Sequence, residues 1–151
     1  MNESHPDPDD RRKHLDLIQA AVTRMASASS NAKSWLLPVV TATYGYALVK
    51  NAESVALLGI AAVIVFAMLD AQYLRQERAF RALYRDAVAG NVPLFELSPA
   101  RYFNKPNGDE EDTRSESCKW RKVIWSWSLG GFYGPLGVVG AAVLAVSLIA
   151  G

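Results

Sequence analysis

The chain has 151 residues, with 16 Lys and Arg against 15 Asp and Glu, a net charge of +1 and a mean hydropathy of +0.04. A single cysteine excludes an intramolecular disulfide, and one cysteine with two histidines is too few for a Cys/His metal cluster. Averages this balanced would suit a soluble domain, but every Lys, Arg, Asp and Glu lies outside three stretches, 34–49, 54–69 and 123–151.

From the N-terminus, residues 1–8 are Pro-rich and acidic, without the apolar core of a cleavable signal peptide. Asp9 or Asp10 is the expected cap of a helix running to about Ser29. Its apolar stripe is Leu15, Ile18, Val22 and Met25, so it either lies on a membrane or partner or packs on its own chain. His14 is expected in water. The small, polar run 27–33 reads as a hinge or a weakened helix, and Pro38 predicts a start or bend near Trp35.

A bilayer core about 30 Å thick needs roughly 20 apolar residues in a helix. Stretches 34–49 and 54–69 are short, but their polar flanks can complete them; 123–151 suffices alone. The expected class is therefore all-α and membrane-integral. Residues 1–33 form a tail and amphipathic helix, 34–69 a transmembrane hairpin, 70–122 a stalk and charged loop, and 123–151 a third crossing. Thr41, Thr43 and Tyr44 make the first crossing unusually polar, which predicts that Thr41 and Tyr44, on one face with Leu48, meet another helix or line water.

Basic residues crowd before the first stretch, after the second and before the third, whereas Lys50 alone stands in the intervening turn. The positive-inside rule then predicts an inner-membrane protein with a cytoplasmic N-terminus and stalk. The second apolar helix should run on through 70–89 without a breaker and stop at Gly90-Asn91. Leu69, Tyr73, Gln76, Phe80, Leu83 and Ala87 form a heptad-like seam available to a second stalk. Asp70 stands at the boundary, as a first-turn residue in water or an ionisable group at a pore. Glu77 is expected on a solvated salt-bridge face. Residues 90–103 read as irregular and 104–117 as a charged loop. In the last crossing, Gly130, Gly134 and Gly137 form a small-residue row suited to close helix packing.

No GxSxG, HExxH, P-loop or GxGxxG motif is present, and no catalytic residue, metal ligand or cofactor is assigned. The cations Arg75, Arg78, Arg81 and Arg85, with Lys119, Arg121 and Lys122, are the candidate site for an anionic ligand, and nearby aromatics can stack on bases. Three crossings without an internal repeat or intramembrane charge argue against a transporter. They leave an oligomeric channel or a non-conducting scaffold that anchors a cytoplasmic partner.

The segments HLDLIQAAVTRMA (14–26), LDAQYLRQERAFRALY (69–84) and WRKVIWSWSLGGFYGPL (120–136) resemble small prokaryotic membrane proteins linked to anti-phage defence, the Hailong-type effectors. In those systems a nucleotidyltransferase makes an oligonucleotide that holds a multimeric membrane channel shut. The resemblance implies a homo-oligomer in the bilayer that depolarises the host membrane when the ligand is lost. Run 27–33 is more hydrophilic than that pattern.

Overall fold

A computed structural model describes residues 7–103 and 127–150. Among the described residues the secondary structure is helical: α1 Pro8–Lys50, α2 Glu53–Val88, a 3-10 turn at Ala100–Tyr102, and α3 Trp127–Ala150.

Helix α1 begins slightly earlier than the acidic pair suggests, with Asp7 rather than Asp9 or Asp10 as its cap. The Asp7 carboxylate accepts the Asp9 amide at 3.1 Å and the Asp7 carbonyl accepts that of Arg11. Pro8, which has no amide to satisfy, takes the first helical position. Asp9 and Asp10 then lie in the first turn, where carboxylates complement the positive end of the helix. The expected hinge at 27–33 is absent, because α1 runs unbroken through both that segment and Pro38. Ser34 donates back to the Ser30 carbonyl at 3.1 Å, and Ser29 is buried with its hydroxyl on Asp70. Ser34 thus bonds within its own helix and Ser29 bonds a side chain of α2, so neither competes for the local backbone.

The link between α1 and α2 is two residues long. Asn51 takes a positive φ of 49°, and the Ala52 amide donates to Ala47 at 3.1 Å. Helix α2 continues past the apolar stretch as expected. It ends in a Schellman-type cap, with Gly90 at φ 80°, its amide on Ala87 at 3.1 Å and the Asn91 amide on Asp86 at 2.9 Å.

The chain divides into two compact units. The charged unit contains α1 up to Ser27, α2 from Tyr73, and the segment that follows it. Its core is Ile18, Ala79, Ala82, Leu83, Ala87 and Tyr102, flanked by Leu15, Phe80 and Tyr84. The N-terminal stripe thus packs on its own chain. The heptad-like seam is not one surface: Leu83 and Ala87 are buried in this core, whereas Leu69 and Gln76 are exposed. His14 is buried rather than solvated; its Nε2 donates to the Glu96 carbonyl at 3.0 Å, and Phe95 packs on its ring. Tyr102 donates to Asp86 and closes the segment against α2.

The apolar unit contains α1 from Ala28, α2 up to Gln72, and α3. Residues 53–88 and 129–150 form two helices long and apolar enough to cross a membrane. Only 28% and 22% of their most apolar windows are buried, against the mostly buried core helix of a soluble protein. Leu57, Leu58, Val65, Met68, Val138, Leu148 and Ile149 all point outward, an apolar surface that water would not favour. The inward seam is Leu36, Val40, Tyr44 and Ala47 on α1, Ala56, Gly59 and Val63 on α2, and Gly140 and Val143 on α3.

Tyr44 fills the notch between Gly59 and Gly140. A Cβ at Gly140 would lie 2.7 Å from Tyr44 Cζ and 2.8 Å from Ile60 Cγ1, and one at Gly59 would lie 2.7 Å from Thr43 Oγ1. The expected packing row is different: Gly130, Gly134 and Gly137 have open space at their Cβ positions, so they make no close helix contact among the described residues. Gly140→Ala is expected to cost roughly 1–3 kcal/mol, as overpacking does. Gly134→Ala should be neutral or up to about 1 kcal/mol stabilising through helix propensity. Thermal unfolding of the two variants in detergent compares them directly.

Candidate functional site

Two constellations stand out, one in each unit. In the charged unit, Gln19 and Val22 of α1 and Arg81, Tyr84 and Arg85 of α2 line an open cleft of about 490 Å³. Positions 81, 84 and 85 lie at i, i+3 and i+4, so one helix face presents two guanidinium groups and a phenol ring together. Positions 19 and 22 add an amide and an apolar surface. Among the described residues, no carboxylate lines the cleft itself. Its chemistry is that of an anion site with a stacking surface.

One acid stands just behind it. Glu77 is mostly buried, not solvated as its spacing suggested, and its Oε1 is 2.6 Å from Arg81 Nη2. This pair orients Arg81 and offsets part of its charge. Arg85 donates through Nε to the Arg81 carbonyl at 3.3 Å and makes no ion pair among the described residues. It therefore carries most of the cleft's net positive charge.

The other candidate cations are placed differently. Arg75 lies over the Phe103 ring at 4.6 Å, a cation–π contact outside the cleft. Arg78 is half-buried and engaged, and it does not line the cleft. Lys119, Arg121 and Lys122 lie outside the described residues. Of the four α2 cations named from helical spacing, the cleft brings together Arg81 and Arg85 and leaves Arg75 and Arg78 outside it. Gln19 and Val22 are contributed by a second helix, which spacing along α2 cannot reveal.

The second constellation lies in the apolar unit. Asp70 is 1% exposed, not a first-turn residue in water. Ser29 donates to its Oδ1, and Lys33 Nζ lies 3.0 Å from its Oδ2. No directed hydrogen bond reaches Oδ2, so Lys33 holds that oxygen by charge. The Tyr133 phenol lies beside the same carboxylate and donates to the Phe66 carbonyl at 3.4 Å. A carboxylate this deeply buried needs its partners; removing one partner of a buried pair costs roughly 3–5 kcal/mol.

Sequence reasoning names Asp70 but misses Lys33, Ser29 and Tyr133. A signal was available, because Lys33 and Asp70 are equidistant from the turn at 51–52 and an antiparallel hairpin brings such residues together. Thr41 and Tyr44, expected on one face, separate: Tyr44 is buried and donates to the Leu136 carbonyl at 3.4 Å, whereas Thr41 is exposed. Thr43 donates back to Val39 at 2.9 Å, so its hydroxyl is satisfied within α1.

Because Glu77 offsets the charge of Arg81, Glu77→Gln is expected to tighten binding of inorganic triphosphate by about threefold, a partly exposed pair being worth under about 1 kcal/mol. Arg85→Gln should weaken it by at least about tenfold, a charge-assisted contact being worth about 1.5–3 kcal/mol. Calorimetric titration of both variants measures these changes.

No protein-family model, curated protein or solved structure matches the chain.

Proposed function

We propose that the chain is one subunit of a homo-oligomeric membrane channel whose charged unit binds an anionic, oligonucleotide-like ligand made by a partner nucleotidyltransferase. In this reading its opening depolarises the host membrane, as the resemblance to Hailong-type anti-phage effectors implies. The observation that carries it is the cleft of Arg81, Tyr84 and Arg85, borne on the same unbroken helix as an apolar span.

Two apolar helices and one turn support three crossings in this reading. If α2 crosses the bilayer, the two-residue link favours α1 crossing beside it, although α1 alone is the least apolar of the three. The charge asymmetry supports a cytoplasmic charged unit, with the rest in the inner membrane. The exposed Trp35 fits a membrane–water boundary, where aromatic rings concentrate.

A pore within one copy has no room, since Tyr44 fills the space between Gly59 and Gly140. The path therefore lies between copies. Ser30, Ser34, Thr41 and Gly45 are exposed on one face of α1, and hydroxyls of this kind are better placed against water or a sister helix than lipid. This makes α1, with Thr41, the pore wall, and gives Tyr44 a packing role.

A second reading, a non-conducting anchor for a cytoplasmic partner, draws on apolar residues exposed on the charged unit: Leu17, Val88, Leu94, Phe95 and Leu97. Ion flux separates the two. Liposomes containing the purified protein are expected to release potassium, and a short single-stranded oligonucleotide should suppress the release. Charge reversal at both Arg81 and Arg85 should raise the suppressing concentration at least about tenfold, each lost charge-assisted contact being worth about 1.5–3 kcal/mol. Liposomes that stay tight without any oligonucleotide would overturn the channel reading in favour of the anchor.

A further inference from the structure

No charged residue lies between Lys33 and Lys50 on α1 or between Glu53 and Asp70 on α2. Lys33 and Asp70 are equidistant from the turn at 51–52, and each helix rises about 28 Å between that turn and the pair. That is close to the roughly 30 Å thickness of a hydrocarbon core. The pair therefore stands where apolar surface gives way to charge, with Ser29 from α1 and Tyr133 from α3 against the same carboxylate. One acidic side chain thus holds groups from both other helices of the apolar unit.

We propose that the Lys33–Asp70 ion pair is the lock of the gate, intact in the closed arrangement and broken in the open one. The inference rests on the channel reading above. The two-residue link at 51–52 fixes the register of α1 against α2 and leaves separation at the end remote from the turn as the free movement, and the ion pair stands at that end. Splaying of the two helices there removes Lys33 from Asp70. It would leave a carboxylate that is 1% exposed without its counter-charge. Opening is then disfavoured unless water enters or the two helices are displaced together. Both helices are unbroken from the cleft residues to the pair: Gln19 and Val22 share α1 with Lys33, and Arg81 and Arg85 share α2 with Asp70. A ligand bridging α1 and α2 at the cleft thus binds the same two helices that the pair joins.

A purely structural pair would weaken assembly when broken but leave the flux of each assembled channel unchanged. A lock would change that flux. The full-length protein is reconstituted in liposomes and potassium release measured without oligonucleotide, per assembled oligomer sized in detergent. Asp70→Asn and Lys33→Met are each expected to raise release about tenfold. Lys33→Arg should leave it unchanged, and the exchange Lys33→Asp with Asp70→Lys should return it to within about threefold of the parent. The Lys33 side chain is 23% exposed, so Lys33→Met carries the test if Asp70→Asn does not assemble. Parental flux in assembled single variants, or an exchange as leaky as the singles, overturns the lock while leaving the channel reading intact. If the parent and every variant are tight, the channel reading fails and the lock falls with it.

Discussion

The two-residue turn between Lys50 and Glu53 is the constraint on which the rest of the apolar unit depends. It makes α1 and α2 an antiparallel hairpin with no freedom of offset, so residues equidistant from it meet. That one geometric fact aligns the uncharged stretches 34–49 and 54–69 and brings Lys33 to Asp70. It also sets the register in which Tyr44 meets Gly59. Contacts of helix α3 are spread along its length, among them Tyr133 beside Asp70, Gly140 against Tyr44, and Ser147 donating to the Ala47 carbonyl at 3.5 Å.

Two kinds of interaction hold this arrangement, and they do different things. Tyr44 fills a volume that only glycine leaves open on two neighbouring helices, which is shape complementarity with little direction of its own. The Asp70 cluster adds direction, because a buried carboxylate is tolerated only where its partners stand. Packing accommodates small shifts by rotamer change, whereas a separated buried ion pair does not. In the proposed channel this difference assigns the resting packing to Tyr44 and the resistance to opening to Lys33 and Asp70.

Legibility in the sequence followed the range of the interaction concerned. The continuation of α2 past Asp70 and its stop at Gly90-Asn91 were legible, because helix formers and a left-handed glycine act locally. Run 27–33 left a hinge and a weakened helix open, and the structure takes the helix: low propensity there is outweighed by a tertiary partner, Asp70, far away in the chain. The burial of His14 depends on Phe95 and Glu96 folding back, which no local pattern encodes. The glycine row illustrates the limit for faces: spacing put Gly130, Gly134 and Gly137 together but could not say which side of α3 was occupied, and the contact belongs to Gly140. For the candidate site, spacing on one helix puts Arg81 and Arg85 on one face, while the neighbouring Gln19 and Val22 come from a second helix that only the fold brings near.

The central claim is that the hairpin of α1 and α2 crosses a membrane with its turn on the outer side and the charged unit inside. Labelling of single cysteines by a membrane-impermeant maleimide in intact cells tests it most directly, after Cys118→Ser removes the native thiol. Glu53 and Asn91 are both exposed, one beside the turn and one beyond the end of α2. The account requires Glu53→Cys to be labelled in intact cells and Asn91→Cys only after the membrane is permeabilised. Labelling of both from the same side, or of Asn91→Cys alone in intact cells, would contradict it.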